Sequence, residues 1–123
     1  MKPSERDAAH LWDMLDAARR VEAMMRGVSF DALMADERTR LAIERLLEII
    51  GEAAGRVSAD CRRRQGGIPW APIIGFRNVL AHEYGEINYG RLYAVVTKGV
   101  PELIREIEGI LGAHPGKPLR SKH

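Results

Sequence analysis

ERTRLAIERLLEIIGEAAGRVS, residues 37–58, decides the fold class. Ile43, Leu46, Leu47, Ile50, Ala54 and Val57 recur at helical spacing, while Glu44, Glu48, Glu52 and Arg56 follow one another four apart on a polar face. Asp36 stands where an N-cap is needed. Leu41, Ile49 and Ala53 add apolar surface outside the main stripe, so this helix is expected to be buried on two sides. Gly51 and Gly55 each cost about 1 kcal/mol against alanine in a helix interior. The close approach of another helix would explain keeping both.

Toward the N-terminus the same periodicity returns. Leu11, Met14, Leu15, Ala18, Val21 and Met25 define an amphipathic helix of about five to six turns, with Ser4 as N-cap and Gly27 in the C′ position. Ser29-Phe30-Asp31 opens a short turn through Met34, with Phe30 and Leu33 closing one end of the core.

Toward the C-terminus, Asp60 to Gly67 reads as a polar loop holding Arg62, Arg63 and Arg64. Three adjacent arginines are most often a solvated surface; the sharper reading is an arm that contacts an RNA backbone. Ile68-Pro69-Trp70-Ala71-Pro72 starts a third helix, since proline suits a first turn. Trp70 is expected to anchor that end in the core. Ile73, Ile74, Phe76, Val79 and Leu80 carry the helix forward. Gly85 and Gly90 bracket a turn, with Asn88 as a cap, and a fourth helix runs from about Tyr89 to Leu111. Gly99 and Pro101 should kink or split it. Residues 1–112 therefore read as a single helical domain, and 113–123 as a flexible basic tail.

Composition agrees. The chain has 123 residues, 46% hydrophobic but only 6% aromatic, a balance that favours helices over strands. The expected architecture is all-α: an antiparallel bundle of four main helices plus a short extra one. A helical domain this small often gains stability by pairing with itself. The formal charge of +2 permits nucleic-acid binding without requiring it. Cys61 is the single cysteine, so no intrachain disulfide can form, as befits a reducing cytosol. The charged N-terminus does not resemble a signal peptide, and no apolar run is long enough for a membrane span. A cytoplasmic protein is expected.

Reactive side chains concentrate in Arg77-Asn78-Val79-Leu80-Ala81-His82-Glu83-Tyr84, which places a cation, an amide, an imidazole and a phenol within eight residues. On a regular helix Tyr84 shares the face of Arg77, but His82 lies about 140° round from it. Arg77 and His82 would then not converge. Either the helix ends near Ala81, or a second chain completes the pair across a two-fold axis. Such a pair suits RNA cleavage without a metal. An imidazole can take the proton from a ribose 2′-OH at neutral pH, and a guanidinium can stabilise the charge growing on the phosphoryl oxygens. Asn78 could donate one more hydrogen bond. No metal-ligand pattern is visible: His82-Glu83 lacks the second histidine of H-E-x-x-H. P-loop and Rossmann glycine patterns are absent too. The plainer alternatives are an arginine paired with Glu83 or Glu86, a histidine at a helix C-terminus, and a tyrosine that packs with a wet hydroxyl.

Arg77-x-x-x-x-His82-x-Tyr84 resembles the signature of the HEPN superfamily, specifically its HepT-like toxins. "RLLEIIGEAAGRVS" (45–58), "IPWAPIIGFRNVLAHEY" (68–84) and "VPELI" (100–104) resemble that family in order and distance, over about residues 5–111. The resemblance implies an all-α homodimer with metal-independent endoribonuclease activity and no cofactor. It implies catalytic roles for Arg77 and His82, with Asn78 in support. It also implies a partner antitoxin, a minimal nucleotidyltransferase, that adds AMP to Tyr84. The alternative function is a non-catalytic dimeric binding partner or regulator of a nucleotidyltransferase; a wild-type protein that binds the transferase but cuts no RNA would favour it.

Overall fold

A computed structural model of the chain describes residues 3–80 and 86–112, with the side chains of Arg77 and Val79 left out. Among the described residues the fold is all-α. The helices are α1 (Glu5–Met25), α2 (Phe30–Met34), α3 (Glu37–Arg56), α4 (Ala59–Arg64), α5 (Trp70–Ile74), α6 (Phe76–Leu80), α7 (Tyr89–Ala94) and α8 (Val100–Leu111), with a π-helical turn, Val95–Gly99, joining the last two. No helix among the described residues is long and apolar enough to cross a membrane. The tail expected over 113–123 lies outside the described residues.

α1 is the central element. It packs against α3 on one side and α8 on the other. Leu11, Met14, Leu15 and Val21 of α1 are fully buried, together with Ile43, Leu47 and Ile50 of α3 and Ile107 of α8. Both pairings are antiparallel. Asp7, in the first turn of α1, accepts hydrogen bonds from the N–H (2.8 Å) and hydroxyl (2.7 Å) of Ser58, just past the end of α3. Arg19, late in α1, pairs with Glu108, late in α8, at 2.8 Å, while Met25 faces Val96 and Pro101. Burial pushes the Asp7 carboxyl up, but the hydrogen bonds from Ser58 outweigh it and hold the group below the usual range.

The expected caps form: the side chains of Ser4, Asp36 and Asn88 accept from the N–H groups of Asp7, Thr39 and Arg91, and Ser29, not foreseen as a cap, accepts from that of Ala32. Gly27 takes φ +71° just past α1, a left-handed conformation that favours glycine. Gly51 is needed for a close approach, because a Cβ there would stand 2.8 Å from the carbonyl oxygen of Ile73 in α5. Gly55 is not so constrained; its nearest neighbour would be the Ile74 side chain at 3.9 Å. Burial of α3 on two sides is partial: Ala53 is buried and Ile49 half-buried, but Leu41 is 57% exposed.

Two segments differ from expectation, and a third meets it in an unforeseen form. The first is 60–67, read as a loop, where α4 forms. Ser58 does not end α3; its hydroxyl accepts from the N–H of Cys61 and starts a new helix. Asp60 in the first turn and three arginines in the last match the α4 dipole. The second is the third helix, which breaks at Gly75 into α5 and α6. Trp70 does anchor its start, half-buried, with its indole N–H donating to the Gln65 carbonyl at 3.0 Å. The third lies around Pro101. The expected split falls here, between α7 and α8, and takes the form of a π-helical turn in which the N–H of Val100 bonds to the carbonyl of Val95, five residues back. Pro101 has no N–H to offer, and the widened turn lets α8 restart with proline in its first turn.

Candidate active site

α6 carries the first half of the Arg77-to-Tyr84 motif. Phe76 and Leu80, four apart, are buried at 8% and 4% exposure, and they fix which way this short helix is turned. Asn78, two residues on from Phe76, is exposed. The backbone of Arg77 lies between them in α6. The Arg77 side chain, His82 and Tyr84 lie outside the described residues, as do Glu83 and Gly85.

The two ends of the motif segment are described, and they are tied together. The Leu80 carbonyl accepts from the N–H of Asn88 at 2.6 Å. The Asn88 side chain then caps α7 through the N–H of Arg91, at 3.1 Å. Tyr89, the first residue of α7, reaches across to α3, where its hydroxyl donates to Glu44 Oε2 at 2.7 Å. The Arg40 guanidinium lies 5.4 Å from the centre of the Tyr89 ring and donates to the carbonyls of Leu33 (3.3 Å) and Met34 at the end of α2. The hydrogen bond to Glu44, with burial and the Glu44 charge behind it, pushes the Tyr89 hydroxyl above its ordinary range. One turn further along α7, the Tyr93 hydroxyl donates to the Val28 carbonyl at 3.2 Å, and its ring meets Phe30 edge-on at 5.5 Å. Phe30 itself is 38% exposed, so it covers the α7 seam more than it fills the core, whereas Leu33 is fully buried.

This mooring was not visible as a pattern in the sequence. Tyr89 and Glu44 are 45 residues apart, and the four-apart polar row that Glu44 opens gives no sign of a tyrosine partner. Arg62, Arg63 and Arg64 belong to a different element. They occupy α4, beyond the C-terminal end of α3, whereas the α6–α7 junction meets α3 at Glu44. The stretch of α3 from Glu44 to Arg56 spans about 18 Å. Asp60 holds Arg63 at 3.2 Å and also pairs with Arg64. A groove between α3 and the α5–α6 unit includes Glu48 and Glu52, carboxylates of the wrong sign for a phosphate track.

Among the described residues, no three His, Cys, Asp or Glu side chains are grouped to hold a metal ion. A cleft of about 360 Å³ lies between α5–α6 and α8, walled in part by Ile68, Pro72, Ile73, Phe76, Val100 and Leu103. Glu102, Arg105 and Glu106 of α8 edge this cleft, which none of the sequence-predicted site residues lines. Cys61 is buried, and burial followed by the nearby Asp7 charge pushes its thiol up, which makes it a poor nucleophile.

The family described as "Ribonuclease HepT-like" matches residues 14–110 of this chain. Among curated proteins, the chain is 35% identical to "Putative RNase MJ1380" of Methanocaldococcus jannaschii over 85% of its own length and 97% of the relative's. It is 36% identical to "Putative RNase TTE0752" of Caldanaerobacter subterraneus over 71% of its length and 78% of the relative's. It is 32% identical to "Probable ribonuclease HepT" of Thermococcus cleftensis, over 88% and 96%. No solved structure matches. The match spans α3, α6, the motif and α8, and on that breadth the chain belongs to the HepT-like ribonuclease family.

Proposed function

We propose that the protein is a metal-independent endoribonuclease, the toxin of a toxin–antitoxin pair, acting in the cytoplasm as a homodimer. The observation that carries this reading is the complete Arg77-x4-His82-x-Tyr84 string at the end of α6, in a chain of a ribonuclease family. In this mechanism His82 takes the proton from a ribose 2′-OH. The 2′ oxygen attacks the adjacent phosphorus, the bond to the 5′ oxygen breaks, and a proton is returned to that leaving oxygen. The products are a 2′,3′-cyclic phosphate and a 5′-hydroxyl, so atoms and charge balance without an outside reactant. Arg77, always charged, binds the phosphoryl oxygens as their charge rises. Asn78, exposed beside it in sequence, supports that contact. The two residues do not share a face of a regular helix, so a groove shared by two protomers supplies the pairing. Arg62, Arg63 and Arg64 of α4 are the candidate contacts for the RNA backbone. A minimal nucleotidyltransferase switches the enzyme off by adding AMP to Tyr84.

The His82→Ala protein is expected to fold normally and lose RNA cleavage by at least about a hundredfold, the usual scale for removing a general base. Cleavage assays on nuclease-free preparations, with circular dichroism as the folding control, make the comparison. Undiminished cleavage would overturn the assignment of His82.

A further inference from the structure

We propose that Arg40, Glu44 and Tyr89 form a positioning unit that fixes the exit of the motif segment, and so sets the geometry of the ribonuclease site. The proposal rests on the ribonuclease reading above. It follows from where Tyr89 sits: one residue past Asn88, whose N–H closes on Leu80, the last residue of α6. Whatever conformation residues 81–87 need for catalysis, their two ends are set by that closure and by the seat of Tyr89 on α3.

That seat is built from three side chains with complementary demands. The phenol donates to Glu44 and lies beneath the Arg40 guanidinium. Arg40 cannot swing away, because its N–H groups hold the C-terminal carbonyls of α2. The unit therefore ties α2, α3 and α7 at one point. Since Glu44 and burial keep the phenol protonated well past neutrality, the donor persists across the working pH range. Nothing in the unit reaches the reacting atoms on this account. Its effect is to hold the loop end in register, and small displacements of catalytic groups are costly to rate.

The test uses Tyr89→Phe, Glu44→Ala, Glu44→Gln and the double variant Tyr89→Phe/Glu44→Ala in the full chain. Tyr89→Phe and Glu44→Ala should each lower kcat about tenfold with KM unchanged. Glu44→Gln, whose amide oxygen still accepts the phenol hydrogen, should stay near wild type. The double variant should fall no further than either single change, because both remove one interaction. Amide hydrogen exchange over residues 81–88 should speed up in the impaired variants while α1 and α8 keep their protection. Wild-type kcat in Tyr89→Phe would overturn the proposal. So would unchanged exchange over 81–88, or a loss of protection spread evenly through the bundle. If the wild-type protein cuts no RNA, the ribonuclease reading falls by itself, and the exchange measurement still decides whether the unit holds the segment.

Discussion

At the scale of single residues, Tyr84 is the point of control in the proposed mechanism. An added AMP brings a phosphodiester, negatively charged, into the motif that must bind RNA phosphate. It would repel the substrate and compete for Arg77 by the same charge-assisted hydrogen bonds. Incubation of the wild-type protein with its cognate transferase and ATP should add one AMP mass, mapped to Tyr84, and suppress cleavage. Equal modification of a Tyr84→Phe protein would contradict the site. Other residues act through burial instead of chemistry. Asp7 belongs here, because its carboxylate satisfies the N–H of Ser58 at the start of α4 from the first turn of a different helix. Its own N–H donates locally to the Ser4 hydroxyl at 3.1 Å, so one residue serves both the cap of α1 and a long-range tie.

At the scale of elements, the fit of α5 against α3 decides where α6 begins. Gly51 makes that fit possible, since the Ile73 carbonyl occupies the space a side chain would fill. A Gly51→Ala protein must push α5 outward, because the obstacle is backbone and cannot rotate aside. The expected loss is about 1–3 kcal/mol of stability, with cleavage falling further than the fraction unfolded explains, because α6 moves with α5. Gly55→Ala serves as control. Its new methyl would meet only ordinary contact and should gain a little helix propensity. Urea denaturation of the two variants makes the comparison, and equal stability of both would remove Gly51 from this role. The α7–α8 junction shows a different kind of accommodation, in which a proline within a long helical pattern is absorbed by one widened turn.

At the scale of the whole molecule, the antiparallel packing of α1 between α3 and α8 builds the bundle, and the α6–α7 segment is attached at its flank. The proposed site draws on two such flanks. If one groove takes Arg77 from one protomer and His82 from the other, then co-refolded Arg77→Ala and His82→Ala chains should recover part of the activity that each lacks alone. Sedimentation should show mixed dimers in the same sample. Mixed dimers with no recovered cleavage would confine the chemistry to one protomer.

The sequence by itself determined the long helices, because apolar periodicity and capping side chains act within a few residues of one another: Ser4, Asp36 and Asn88 all cap as read. It also carried the family, through the motif and the 45–58 and 68–84 strings. Only the tertiary structure decided that Ser58 opens α4, since a serine after a helical run reads equally well as its last turn until Asp7 is seen holding it. The Arg40–Glu44–Tyr89 seat was likewise beyond reach, because hydrogen bonds between distant parts of a chain depend on how helices dock and leave no period in the residues that make them.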